Sequence, residues 1–77
     1  NMLTHLGAAA RSARREAGRK QIHSAVRLDV TEQTVQNFEL GHHWPRNADA
    51  VIQAYADELG IDPLEIWTEA LKRWRDS

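Results

Sequence analysis

The segment Thr31 to Gly41, TEQTVQNFELG, carries Glu32, Gln33, Gln36 and Asn37, which fall within one arc of a helix at 3.6 residues per turn. Val35 and Phe38 fall roughly opposite. One side therefore needs a core and the other a polar partner. The amides of Gln and Asn can pair bidentately with an adenine edge, and a Glu carboxylate can accept from the cytosine amine. A merely solvated helix face more often carries Glu/Lys pairs four apart, and this segment has none.

Other residue groupings offer less chemistry. Neighbouring histidines in His42-His43-Trp44 point apart on most backbones, and no carboxylate or cysteine stands at ligand spacing, so no metal is expected. With no cysteine, and no Gly-rich elbow to present Ser12, Ser24 or Ser77, nucleophilic catalysis has no candidate. We expect no enzyme, no cofactor and no small-molecule substrate.

The 77 residues suit one small domain, residues 1–77, whose modest core is held by helix packing rather than by disulfides. No run approaches the ~20 apolar residues of a bilayer span, and no signal pattern opens the chain. A cytoplasmic protein without membrane contact is expected. Asn1 before Met2 reads as a residue left by tag removal, and Asp76-Ser77 need not be a natural terminus.

Net charge is −1, but the two halves differ in sign. Residues 1–46 carry seven Lys/Arg against four acids, a balance of +3, and residues 47–77 carry three against seven, or −4. A positive end can steer a phosphate backbone while the negative end faces away or meets a protein.

Hydrophobic spacing predicts five helices and no strand, an all-α chain. The first runs from about Leu3 to Ala17, with Leu6, Ala10, Ala13 and Ala17 on one face and Gly18 as its C-terminal stop. The second, about Lys20 to Leu28, buries Ala25 and Leu28 with Ile22 or Val26. Thr31 caps the third, which ends at Leu40 before Gly41. The fourth, about Ala48 to Leu59, places Ala48, Val51, Ile52, Tyr55 and Leu59 on one stripe. Asp62-Pro63-Leu64-Glu65 opens the fifth, about 63–75, with a capping pattern and Pro at the first helical position.

Only two or three residues separate helices two and three, so two apolar-faced helices must cross steeply over about residues 21–40. With small Ala25 at the crossing, Asp29 at the turn and Val35 and Phe38 as anchors, the run Thr-Glu-Gln-Thr-Val-Gln-Asn-Phe-Glu-x-Gly resembles the Cro/C1-type (XRE family, lambda repressor-like) helix-turn-helix repressors of phage and bacteria. The resemblance covers about residues 6–67. It implies a five-helix DNA-binding domain acting as a transcriptional regulator, with double-stranded operator DNA as partner.

In that family the second motif helix enters the major groove. The resemblance therefore implies Glu32, Gln33, Gln36 and Asn37, with Thr34 at the margin, as base readers. It puts Gln21 and the start of its helix at a phosphate, flanked by Arg19 and Lys20, with Thr31 nearby. His43, Arg46 and Asn47, in the loop after the reading helix, would touch the backbone. Arg14 and Glu39 match a family pair that ties helix one to the reading helix, although Arg15 can take the same part.

The chain departs from the family pattern at Asp29, where Gly is usual, at Ser24, where an apolar residue is usual, and at Lys20, where a Ser/Thr cap is usual. The stretch from Pro45 to Leu59 is longer by about one turn. An antitoxin-like regulator whose main partner is a protein stays open as the alternative.

Leu64, Trp67, Leu71 and Trp74 step by three, four and three, the seam of a heptad. Either Leu64 and Trp67 pack on the domain with Leu71 and Trp74 wrapping it, or the last two turns, through Leu71 and Trp74, meet a second copy or a further C-terminal region.

Overall fold

Caps and left-handed glycines set the helix boundaries. In the computed structural model, which describes residues 1–77, the chain forms α1 (Met2–Glu16), α2 (Gln21–Leu28), α3 (Glu32–Leu40), α4 (Ala48–Leu59) and α5 (Pro63–Asp76), with no strand. The Asn1 side chain accepts from the Thr4 amide at 3.1 Å. Past α1, Gly18 turns left-handed (φ 70°), so that its own N–H reaches Arg15 O and the Arg19 N–H reaches Arg14 O, satisfying carbonyls the helix leaves open. At the start of α2, His23 Nδ1 accepts from the Lys20 amide at 2.9 Å, the place a Glu or Gln takes in a capping box. For α5, Asp62 Oδ1 accepts from Leu64 N–H at 2.9 Å while Glu65 reaches back to the Asp62 amide.

α1 lies centrally, against α5 on one side and α3 on another, and α2 packs on α3 and α4. Leu6, Val35, Ile52, Tyr55 and Ile66 fill the middle of a single core. Small residues set the distances. Ala9 and Ala10 are buried, and Gly7 crosses the end of α3 so closely that a Cβ there would lie 2.7 Å from Glu39 O and closer still to Phe38 O. Gly41 meets Thr4 in the same way. The α1–α3 crossing is thus made by backbone against backbone.

Three expectations about buried faces are corrected. In α2 neither Ile22 (44% exposed) nor Val26 (74%) turns inward; Ser24 is buried instead. Gln21, Ser24, Ala25 and Leu28 form the inner stripe at i, i+3, i+4 and i+7, anchored at its start by a Gln21–Glu39 hydrogen bond, which leaves Ile22 and Val26 on the flank. Ala17 keeps helical angles and its N–H still bonds Ala13 O, but it is exposed because its face opens there into a groove shared with Ala13, Ile61 and Glu65.

In α5 the buried row is Ile66 and Ala70, continued by Arg73, whose Nη2 donates to Ser12 Oγ at 2.8 Å. Trp67 is half-buried, whereas Leu64, which was expected on the domain if α5 simply packed there, is 66% exposed, with Leu71 at 47% and Trp74 at 54%. The Ala-rich side of α1 accepts the face that brings α5 closest, and that face is not the heptad row. No helix is long and apolar enough to cross a membrane.

Candidate nucleic-acid interface

The corner between α2 and α3 is made in three residues. Asp29 adopts φ 57°, ψ 48°, the one non-glycine residue at positive φ, and Val30 N–H closes back to Ala25 O at 3.0 Å. Asp tolerates this region better than most residues with a Cβ. Ala25 is 1% exposed, so its small side chain lets the helices touch. Thr31 then becomes extended, and its Oγ1 accepts from the Thr34 amide at 3.1 Å.

Val35 and Phe38 are buried beneath α3, and the opposite side is open. Glu32 and Gln36 are exposed and make no side-chain hydrogen bond with the rest of the chain. Gln33 is exposed too, and its Nε2 reaches Asn37 Oδ1 at 3.3 Å along the helix, leaving the Gln33 carbonyl and the Asn37 amine unpaired. Thr34 is half-buried with its hydroxyl 2.9 Å from that of Thr31, so it serves the cap. Glu32, Gln33 and Gln36 thus project, Asn37 sits lower, and Thr34 is turned aside.

The loop after α3 is pinned by Trp44. Its indole N–H donates to Phe38 O at 2.8 Å, its ring lies 5.3 Å from the Phe38 ring, and the His42 amide bonds Asn37 O. His43, Arg46 and Asn47 are exposed around this anchor, and Arg46 has no carboxylate in ion-pair range. Lys20 is exposed and equally free. Arg19 lies 3.7 Å from Glu58, and Arg27 lies 3.6 Å from Asp57, so two cations of the positive half are drawn onto α4.

Beneath the corner sits a buried polar cluster. Glu39 accepts from Arg14 Nε at 2.7 Å and Nη2 at 2.9 Å, from Tyr55 Oη at 3.1 Å and from Gln21 Nε2 at 3.1 Å. Arg14 Nη1 donates to Arg19 O. One carboxylate thereby joins α1, α2, α3 and α4. Arg14, not Arg15, holds Glu39; Arg15 is exposed. The guanidinium is held above its ordinary pKa by the Glu39 hydrogen bond, and the Tyr55 phenol is pushed up by burial and by the Glu39 charge. Gln21 is half-buried, with one amide hydrogen committed to this cluster.

Tyr55, Trp44 and Gly7 escaped the sequence reading as positioning residues. Gly7 left a trace there, since glycine inside a helical pattern points to a close backbone approach. The buried hydroxyl of Ser24 lies beside the Tyr55 phenol without a well-formed hydrogen bond. No group of three or more His, Asp or Glu side chains is gathered as a metal site. Compared with protein-family models, curated proteins and solved structures, the chain matches none of them.

Proposed function

We propose that this chain is a Cro/C1-like DNA-binding domain that reads a double-stranded operator through α3 and regulates transcription, in a bacterial or phage-infected cytoplasm. The observation that carries the reading is the division of α3. Val35 and Phe38 hold one side dry while Glu32, Gln33 and Gln36 stand exposed on the other, Gln33 with only its amine engaged by Asn37, at the helix start that follows a tight left-handed corner. Free amides and a carboxylate on a rigid helix are suited to base edges. Lys20, Arg46 and the exposed N-terminal end of α2 flank that side in sequence and supply phosphate contacts that set register without choosing sequence.

A second reading, a regulator whose main partner is a protein, draws on the Arg19–Glu58 and Arg27–Asp57 ion pairs, which weaken the positive field, and on the exposed apolar row of α5. Selection of bound sequences from a random duplex library, followed by titration across salt, separates the two. A recurring motif with log affinity falling steeply against log salt supports DNA reading, because each neutralised phosphate releases counterions. No enriched motif and no salt slope would reject it.

A further inference from the structure

The first turn of α2 is held by a ring that changes charge near neutral pH. Lys20 precedes the helix with a donor-only side chain. The side-chain acceptor of the turn is therefore His23 Nδ1, which takes the Lys20 N–H at 2.9 Å. That bond needs the neutral imidazole with its hydrogen on Nε2, because a protonated ring donates from both nitrogens and accepts nothing. The proton also adds positive charge at the positive end of the helix. A partner for it lies in the same groove, a hollow of about 290 Å³ that His23 lines together with Ile22, Val26, Arg27 and Glu58. Glu58 Oε2 is buried without a hydrogen-bond partner, while Oε1 lies 3.7 Å from Arg19 Nε. Of the other charges near this end of α2, Arg27 lies 3.6 Å from Asp57 of α4, and Glu39 of α3 is committed to Arg14, Gln21 and Tyr55. Glu32 of α3 is exposed and makes no bond to α2.

We infer that His23 is a proton-operated switch at the start of α2: neutral, its ring holds the Lys20 amide; protonated, it releases that amide and pairs with the Glu58 carboxylate. The proton comes from solvent and settles on Nδ1, the atom that held the amide. Pairing with His23 draws Glu58 away from Arg19, so the exchange frees the Lys20 N–H and the Arg19 guanidinium together and adds one charge of its own. Above the ordinary imidazole range the cap is complete; as pH falls through that range the cap is lost and the cations are released. The consequence for DNA rests on the proposed reading, which sets this end of α2 against a phosphate. Acid then strengthens the backbone contact, and does so for every sequence alike, because none of these groups lies on α3.

Two readouts on the full chain separate the switch from its use. NMR of the His23 ring nitrogens, the Lys20 amide and the Glu58 carboxyl carbon, from about pH 8 to about pH 5.5, tests the switch without DNA. The neutral ring is expected to carry its hydrogen on Nε2. The Lys20 amide and the Glu58 carboxyl are expected to shift with the same midpoint as the ring. A neutral ring with its hydrogen on Nδ1, or a Lys20 amide that stays unchanged while the ring titrates, overturns the inference, and a Glu58 carboxyl that does not follow the ring overturns the pairing. Binding to a random-sequence duplex across salt tests the use. The slope of log affinity against log salt is expected to steepen by about one to two units between the two pH limits. His23→Gln keeps a capping acceptor but cannot titrate, so it should remove that change although His5, His42 and His43 remain. A slope change as large in His23→Gln overturns the link to DNA. A chain that binds no duplex at either pH overturns the DNA reading itself, and the link with it, while the Lys20 amide still decides the switch.

Discussion

Arg14 and Glu39, 25 residues apart in sequence, meet through two parallel hydrogen bonds of 2.7 and 2.9 Å in a site that leaves both side chains almost fully buried. Removing one partner strands the other's charge. Glu39→Ala should lower stability by about 3–5 kcal/mol, whereas Tyr55→Phe, which removes one donor to the same carboxylate, should cost about 1 kcal/mol. Urea unfolding of both variants checks this. A Glu39→Ala loss no larger than that of Tyr55→Phe would mean that the guanidinium finds water.

Alkaline stability should depend on Tyr55. Burial first, and the Glu39 charge next, raise its folded pKa above the usual phenol value. In the unfolded chain the phenol loses its proton from about pH 10 upward, while in the folded chain it keeps it. The stabilisation is therefore complete below about pH 10 and declines as pH rises beyond it. The chain has a single tyrosine, so phenolate absorbance should appear together with loss of helical dichroism, and Tyr55→Phe should flatten that part of the curve. Ionisation that precedes unfolding would contradict the burial argument.

Gly7→Ala sets helix propensity against packing. Alanine is better inside a helix by about 1 kcal/mol, yet its Cβ would press on the Phe38 and Glu39 carbonyls. The contacts are backbone atoms that cannot swing aside, so a net loss of about 1–3 kcal/mol is expected. A thermal melt that rises instead would show that α1 and α3 separate cheaply.

Ser24→Ala should change stability by less than about 1 kcal/mol, since the buried hydroxyl lies beside the Tyr55 phenol without a well-formed hydrogen bond to lose. A clear loss in the melt would mean that Ser24 Oγ pairs with the Tyr55 hydroxyl or with an ordered water.

On DNA, Gln33→Ala is expected to cost about 1–3 kcal/mol at one base position and flatten preference there. Equal loss on selected and random duplexes would remove its reading role. Arg46→Ala should weaken all sequences alike and lower the salt slope by about one unit. A changed preference with an unchanged slope would make Arg46 a base reader.

The helix starts and stops were legible in the residues because caps and glycine turns act over three or four positions. Thr31, Gly41, Gly60 and Asp62 each do locally what their type predicts. A tight turn at Asp29 was equally readable from the short spacing between two apolar stripes, and its left-handed conformation was implied only by the resemblance, in which Gly is usual there. Periodicity likewise marked Val35 and Phe38 as the dry side of α3, leaving its polar arc outward.

Facing was not legible where a helix offered two plausible stripes. In α2 the larger side chains, Ile22 and Val26, lost to Ser24 and Ala25, because the inner side had to admit the Gln21–Glu39 bond at close helix spacing. In α5 the heptad row lost to Ile66, Ala70 and Arg73, because small residues on α1 and the Ser12 hydroxyl accept that side more closely. The local pattern of residues by itself determined that the chain is helical, where each helix begins and ends to within about a residue, and which side of α3 is polar. Only the tertiary structure decided which apolar residues stay outside and which four donors converge on Glu39. Those outcomes depend on distances between segments far apart in sequence, and no local pattern encodes them.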